Sequence, residues 1–330
     1  MKRYYRPLLH PGTPPAGSRR LGGGWLWFTH AEERTRDATR LIAWQALPSE
    51  VLTNLTAPRA GIAGLTLDAP RLMGIVNTTP DSFSDGGRYD STDTAIAHGQ
   101  RLTFEGADIL DIGGESTRPG ADYVEIDEEI ARTAPAIAGL TGGAPISIDT
   151  RKAAVGKAAL EAGAGMLNDV SGLLHDPDMA TLAASTGAPI CIMHAQGDPK
   201  TMQANPTYDD VLLDVYDALE AQLNAALAAD IPKANVVLDP GIGFGKTLDH
   251  NLALLRSLAM LHSLGCPILL GASRKRFIGT LSGVDEADQR MPGSVAVALA
   301  GVAQGAQILR IHDVAETRQA LTLWQASTGS

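Results

Sequence analysis

A (β/α)8 barrel preceded by an N-terminal extension is the fold class this sequence predicts, on three observations. Eight short runs rich in Ile, Val and Leu recur from residue 71 onward, each followed by a polar loop and a longer Ala- and Leu-rich segment at helical spacing. Residues 71–330 span 260 positions, close to the usual length of about 250 for such barrels. Every run also delivers polar residues at its C-terminal end, the face where barrel enzymes build their sites.

Taken in order, the strand candidates are LMGIV (72–76), DILDI (108–112), ISI (146–148), MLNDV (166–170), PICIM (189–193), VVLD (236–239), PILLG (267–271) and QILRI (307–311). Helices are expected between and after them at 92–105, 125–139, 152–162, 178–186, 209–229, 247–264, 293–304 and 314–326. An open doubly wound sheet would call for fewer strands and a GxGxxG turn after the first, which is missing.

Residues 1–70 have a different composition. They hold Trp25, Trp27 and Trp44, three of the four tryptophans, and a GGG run at 22–24. Nine Lys or Arg stand there against five Asp or Glu, or +4, which leaves −14 for 71–330 out of the total of −10. The first forty residues read as a partly irregular arm with aromatic anchors, and 51–70 as a source of short strands capping the body. The extension is expected to serve packing or oligomerisation, and 71–330 to form the catalytic barrel.

A chain that is 44% hydrophobic and 19% charged can bury a core. Its pI near 5.2 argues against a nucleic-acid or anionic-membrane binder, because those surfaces need clustered Lys and Arg. Cys191 and Cys266, each in an apolar run beside Pro, read as buried thiols in a reducing compartment. No apolar signal segment follows the basic start, and the most apolar stretch, 295–309, is too short to span a bilayer, so a cytoplasmic location is expected.

The strand ends present Asn77, Glu115 to Arg118, Asp149, Asn168, His194, Asp239, Ser273 to Lys275, and Arg310 with His312. Two groups separate by chemistry. The loop GGESTRPG (113–120) joins glycine freedom to Ser and Thr hydroxyls and the Arg118 fork, a composition suited to oxygen anions. Arg310 and His312 alternate on one strand and face the same way. The polar loop 77–89 reads as an active-site lid rather than an idle surface turn.

Asp149, Asn168, Asp239 and Lys275 form the second group. Two acceptor-only carboxylates with an amide that both donates and accepts match the edge of a 2-amino-4-oxo heterocycle, and Lys275 can meet its carbonyl or ring nitrogen. Either Asp taken singly reads equally well as a helix N-cap. His194 in IMHAQG can equally bond a backbone carbonyl. The GIGFGK run (241–246) lacks phosphate-loop spacing and instead shapes a loop whose Phe244 covers the pocket.

In this order, MGIVNTTPDSFSDGG, DIGGESTRPGA, ISIDT, LNDVSG, MHAQG with PKTMQ, LDPGIGFGK, GASRKRFIG and RIHDV make residues 71–314 resemble the dihydropteroate synthases. That resemblance implies a dimeric (β/α)8 barrel that condenses 6-hydroxymethyl-7,8-dihydropterin diphosphate with 4-aminobenzoate, using Mg2+, by an SN1-like substitution. It implies that Asp149, Asn168, Asp239 and Lys275 hold the pterin. Asn77, Arg118, Arg310 and His312 would then hold the diphosphate, with Asn77 also near Mg2+. Thr117, Pro119, Phe244 and Ser273 would border the aminobenzoate, with Arg118, Lys275, Arg310 and His312 serving catalysis. The sequence departs from the family at Ala195, where Met is common, and at Arg151, where Tyr or Ser is common. A pterin-binding methyltransferase would share the Asp and Asn set without needing a diphosphate anchor, and a non-catalytic paralogue would bind pterin alone.

Overall fold

The computed structural model describes residues 2–78, 88–116, 121–197 and 202–329, with side chains from residue 92 onward in the helix that begins at 88. The extension carries β1 (Tyr4–Pro7), β2 (Arg19–Arg20), β3 (Trp27–Phe28), β4 (His30–Arg34), β5 (Thr39–Ala43) and α1 (Ser49–Thr56). There follow β6 (Arg71–Asn77), α2 (Arg88–Phe104), β7 (Ile109–Gly113), α3 (Ile126–Leu140), β8 (Ile146–Asp149), α4 (Ala153–Glu161), β9 (Met166–Asp169), α5 (Asp178–Thr186) and β10 (Ile190–Met193). The chain finishes through α6 (Val211–Ala228), β11 (Val236–Asp239), α7 (Leu248–Arg256), β12 (Leu269–Leu270), α8 (Arg276–Ser282), α9 (Met291–Ala303), β13 (Ile308–Ile311) and α10 (Val314–Thr328).

The eight strands β6 to β13 pair in parallel in the order β11-β10-β9-β8-β7-β6-β13-β12, and a parallel bridge from Leu238 to Ile268 joins the two ends. The ring is therefore closed, as the eight repeats predict. Because successive strand residues face opposite ways, one parity points inward. Met73, Ile109, Met166, Cys191, Val237, Leu269 and Ile308 fill the lower barrel as one buried apolar cluster. The same parity one or two steps further along reaches Asn77, Asp111, Asp149, Asn168, Asp239 and Arg310. The other parity packs the strands onto the surrounding helices in the main core.

Local sequence sets the helix ends. Asp210 starts α6 by accepting from the Leu212 and Leu213 N–H groups, and Thr247 and His250 form a capping box at α7. Gly187, Gly283 and Gly329 close α5, α8 and α10 in the left-handed conformation.

The structure corrects three expectations. The stretch 247–264 is not one helix: α7 ends at Arg256 and a 3-10 segment follows over Leu258–Leu264. Two helices, α8 and α9, follow β12 where one was expected. The first forty residues form a three-stranded antiparallel sheet, β1-β4-β5, and a two-stranded ribbon, β2-β3. Part of that sheet's order comes from outside it, since Tyr4, Lys2, Arg34 and Arg36 bond Asp210, Asp214, Asp217 and Glu220 around α6.

Residues 51–70 cap the body, though not as strands alone. The segment begins in α1 and ends in a hairpin bridged between Ile62 and Leu65. Ile62 and Leu67, both buried, seat against the inner barrel cluster and close the N-terminal mouth. Ile62→Ala should cost about 2–5 kcal/mol of stability, the usual range for a truncated core side chain. Urea unfolding reads this, and a loss under about 1 kcal/mol, the size of a surface change, would mean the hairpin does not plug the barrel.

Candidate active site

Strand register brings distant residues to one level. Asn77 lies opposite Gly113, Gly113 opposite Asp149, and Asp149 opposite Asn168, while Asp239 lies beside Met193. Gly113 keeps the space between these strands open: a Cβ there would stand 3.5 Å from that of Asp149.

At the centre, Arg310 reaches across the barrel. Its Nε donates to Asp111 Oδ2 at 2.5 Å and its Nη2 to Asp149 Oδ2 at 2.7 Å. Asn168 Nδ2 donates to the same Asp111 oxygen at 3.0 Å. Asp111 Oδ1, Asp149 Oδ1 and Ser147 Oγ, all buried, have no hydrogen-bond partner among the described residues. Buried polar atoms are normally paired, so the two carboxylate oxygens keep free acceptor capacity at the level where Asn168 and Asp239 also stand. Lys152, not Asp149, precedes α4 as its N-cap, which removes the capping explanation for Asp149.

One guanidinium faces two buried carboxylates. Burial, helped by the neighbouring Asp111 charge, pushes the Asp149 carboxyl up to about 7, although Arg310 acts in the opposite direction. Burial also raises Asp239, against the pull of Lys275. One Asp239 oxygen accepts from the Gly241 N–H at 2.7 Å, a local turn contact and not a helix cap, since Thr247 is the N-cap of α7. The other oxygen faces the Arg310 side, 3.6 Å from where a Gly271 Cβ would stand.

Lys275 donates to the Ile242 carbonyl and lies 4.4 Å from the centre of the Phe244 ring. Burial lowers its ammonium to about 8, Asp239 notwithstanding. Arg274, between Ser273 and Lys275, adopts a left-handed φ of +58° and is held by Asp313 and the Ser294 hydroxyl. Such strain persists only where the surroundings over-determine it. Ser273 Oγ accepts from the His312 N–H at 3.2 Å and lies 3.0 Å from its Nδ1. His312 and Asn77 line a cleft of about 270 Å3, together with His98, Arg101, Arg274 and Asp313.

The predicted residues Asn77, Asp149, Asn168, Asp239, Phe244, Ser273, Lys275, Arg310 and His312 thus belong to one face of the barrel. Thr117, Arg118, Pro119 and most of the 77–89 loop lie outside the described residues. Three further side chains at this face carry no individual role in the expectations from sequence. Asp111 was the legible one, an acid at inward parity within an apolar strand. Lys246 is buried against His194, and Glu115 anchors the base of the GGESTRPG loop.

Glu115 accepts from Arg151 Nε at 2.9 Å, from Lys152 Nζ at 3.2 Å and from the Val124 N–H at 3.0 Å. Lys152 also reaches Glu129 at 2.6 Å. These cations keep Glu115 below the ordinary carboxylate range even though burial opposes them. Arg151 therefore brings an ion pair to the foot of the loop.

The chain matches the pterin binding enzyme family over residues 73–312. It is 51% identical over 274 residues to a dihydropteroate synthase of Neisseria meningitidis serogroup B, covering 81% of this chain and 96% of that protein. Among solved structures it is similar to the Xanthomonas albilineans dihydropteroate synthase with 4-aminobenzoic acid, at 49% identity and a TM-score of 0.78, covering 83% of this chain and 100% of that one. The same enzyme in complex with 7,8-dihydropteroate matches at 46% identity and a TM-score of 0.75, with the same coverage of each chain.

Proposed function

Because the chain belongs to the pterin-binding enzymes, and among them to the dihydropteroate synthases, we propose how its own residues divide the work of condensing 6-hydroxymethyl-7,8-dihydropterin diphosphate with 4-aminobenzoate. The observation that carries this assignment is the set of unpartnered acceptors, Asp111 Oδ1 and Asp149 Oδ1, buried beside Asn168 and Asp239. A flat ring bearing a 2-amino group and N–H donors supplies what they lack.

In this reading Asp149, Asn168, Asp239 and Lys275 hold the pterin, with Asp111 joining them through Asn168 and Arg310. Asn77, Arg118 and His312 receive the diphosphate. Arg310 stands on the wall between the two, so its remaining N–H groups can face the leaving group while Asp111 and Asp149 hold its inner edge. Phe244 and Ser273, with Thr117 and Pro119, border the aminobenzoate.

The bond that breaks joins the pterin CH2 to the diphosphate oxygen. An electron-rich dihydropterin stabilises the cation left at that carbon, and the aniline amine, already neutral, attacks it and afterwards loses a proton. No strong general base is needed. The residues act by position and charge: Arg310, Arg118 and His312 take up the negative charge of the leaving group, and the carboxylates of Asp149 and Asp239 offset the positive charge of the ring.

Mg2+ fits this donor set only in a particular way. Among the described residues no group of three or more His, Cys, Asp or Glu side chains could hold a metal ion. Mg2+ keeps several waters and binds through substrate phosphates, so the Asn77 amide oxygen with the diphosphate oxygens is an adequate set. The ion would supply charge neutralisation at the diphosphate.

Among the described residues no helix is long and apolar enough to cross a membrane. A cytoplasmic homodimer acting on these small molecules, without nucleic acid or membrane, completes the proposal.

The test mixes the protein with the pterin diphosphate, 4-aminobenzoate and Mg2+. Stoichiometric diphosphate and 7,8-dihydropteroate are expected, with the rate falling sharply on chelation. Pterin binding without diphosphate release would favour a non-catalytic paralogue.

A further inference from the structure

Two buried lysines lie near the active face and are satisfied differently. Lys152 sits between the carboxylates of Glu115 and Glu129, the ordinary solution for a buried ammonium. Lys246, 3% exposed, has no carboxylate among its hydrogen-bond partners within the described residues. Its Nζ lies 2.9 Å from the Phe244 carbonyl, 2.9 Å from His194 Nδ1 and 3.4 Å from the His194 carbonyl. These acceptors come from two loops, one after β10 and one after β11. Burial lowers this ammonium to about 7, the Asp239 charge notwithstanding, so its place in the fold rests on the hydrogen bonds it donates and not on an ion pair.

Phe244 is flanked by Gly243 at φ +84° and Gly245 at φ +59°, so the backbone on both sides is intrinsically permissive. Neighbouring peptides are tied by Asn251 to the Gly243 N–H, by Tyr208 to the Gly245 carbonyl and by the Gly241 carbonyl to the Phe244 N–H, while the Phe244 carbonyl itself is bonded by Lys246, and the Phe244 ring lies against the Lys275 ammonium.

We infer that Lys246 is a positioning residue for the aminobenzoate wall: by tying the Phe244 carbonyl to the His194 imidazole, it holds the Phe244 ring against Lys275. Accepting at Nδ1 leaves His194 its proton on Nε2, and the residue also lines a cavity of about 390 Å3 with Gln196, Thr207 and Tyr208. Burial first, and then the Lys246 charge, hold the His194 ring down at about 3. The other ionisable groups around Lys246 are Asp239 at the end of β11, Lys275 after β12 and Tyr208 ahead of α6. The inference rests on the proposed role of Phe244 at the aminobenzoate site.

The test compares wild type with Lys246→Met and Lys246→Arg. In the methionine variant the KM for 4-aminobenzoate should rise about tenfold while kcat changes less than about threefold, as expected when a binding wall and not the reacting centre is lost. Lys246→Arg, which keeps donors at the same place, should stay within about threefold of wild-type KM. It also carries the test if the methionine variant fails to fold, and a folded arginine variant with KM raised about tenfold would overturn the inference. A second readout is the His194 imidazole proton resonance, which should not titrate above about pH 4 in wild type and should shift its midpoint upward in Lys246→Met. Wild-type KM together with an unmoved His194 resonance in the methionine variant rejects the role of Lys246. If instead the wild type releases no diphosphate, the functional reading fails while the His194 comparison still reports on Lys246.

Discussion

Arg310→Ala is expected to lose about 10²- to 10³-fold in kcat/KM, the usual consequence of removing one preorganised electrostatic contact. It should also lose about 3–5 kcal/mol of folding stability, because it strands buried charge. Both losses have the same origin. The guanidinium bridges Asp111, fully buried, and Asp149, whose side chain is 8% exposed, so its removal leaves two carboxylates facing each other without a cation. Adding Asp111→Asn separates the two effects. The double variant should recover a large part of the stability, since one of the stranded charges is gone, while kcat/KM stays low. Diphosphate release and urea unfolding on the four members of this cycle give the coupling directly. Stability that falls without recovery in the double variant would mean that Arg310 acts through packing rather than through the acids. Full activity in Arg310→Ala would remove it from the reaction altogether.

The barrel was legible because its strands are buried on both faces and so read as continuous apolar runs, which loops and helices interrupt at regular spacing. The site was legible wherever a polar residue sat at the end of such a run, as with Asp149, Asn168 and Asp239. Asp111 is not legible in the same way because it lies inside its run, flanked by Leu110 and Ile112, and only the inward parity of the strand marks it. Lys246 escaped because a basic residue closing GIGFGK looks like a failed phosphate loop, and only tertiary packing brings His194 to it. The extension was hardest to read. Its β1-β4-β5 sheet packs on a small apolar cluster of its own and is flanked by charge pairs to residues around α6 some two hundred positions away, and no local pattern announces a partner at that distance. The break after α7 was hidden for a related reason: Leu258–Leu264 is as apolar as the helix before it, and it is the antiparallel sheet and α1 packed against that segment that its composition does not announce.

Asp149 should make both stability and pterin affinity depend on pH in a way that Asp149→Asn abolishes. Its carboxyl ordinarily titrates at 3.8 and is held at about 7 in the folded chain, chiefly by burial. The folded state therefore binds more protons than the unfolded chain between those values. By linkage this group's contribution to stability is complete below about pH 4 and is lost as pH rises through about 7, at up to roughly 1.4 kcal/mol per pH unit. Burial raises the Asp239 and Asp169 carboxyls as well, so the decisive quantity is the difference between wild type and Asp149→Asn. That difference should shrink steadily between pH 5 and 7. Ligand binding has the opposite slope. A pterin presenting N–H donors needs Asp149 ionised, so its affinity should rise with pH toward 7 and binding at pH 6 should release a proton from this group. Calorimetry at pH 6 in two buffers of different ionisation enthalpy should find that proton in wild type and not in Asp149→Asn, whose affinity should also be weaker by about 1–3 kcal/mol because an acceptor has become a donor facing a donor. Equal proton release in the two proteins would place the titrating carboxyl elsewhere and remove Asp149 from the pterin edge.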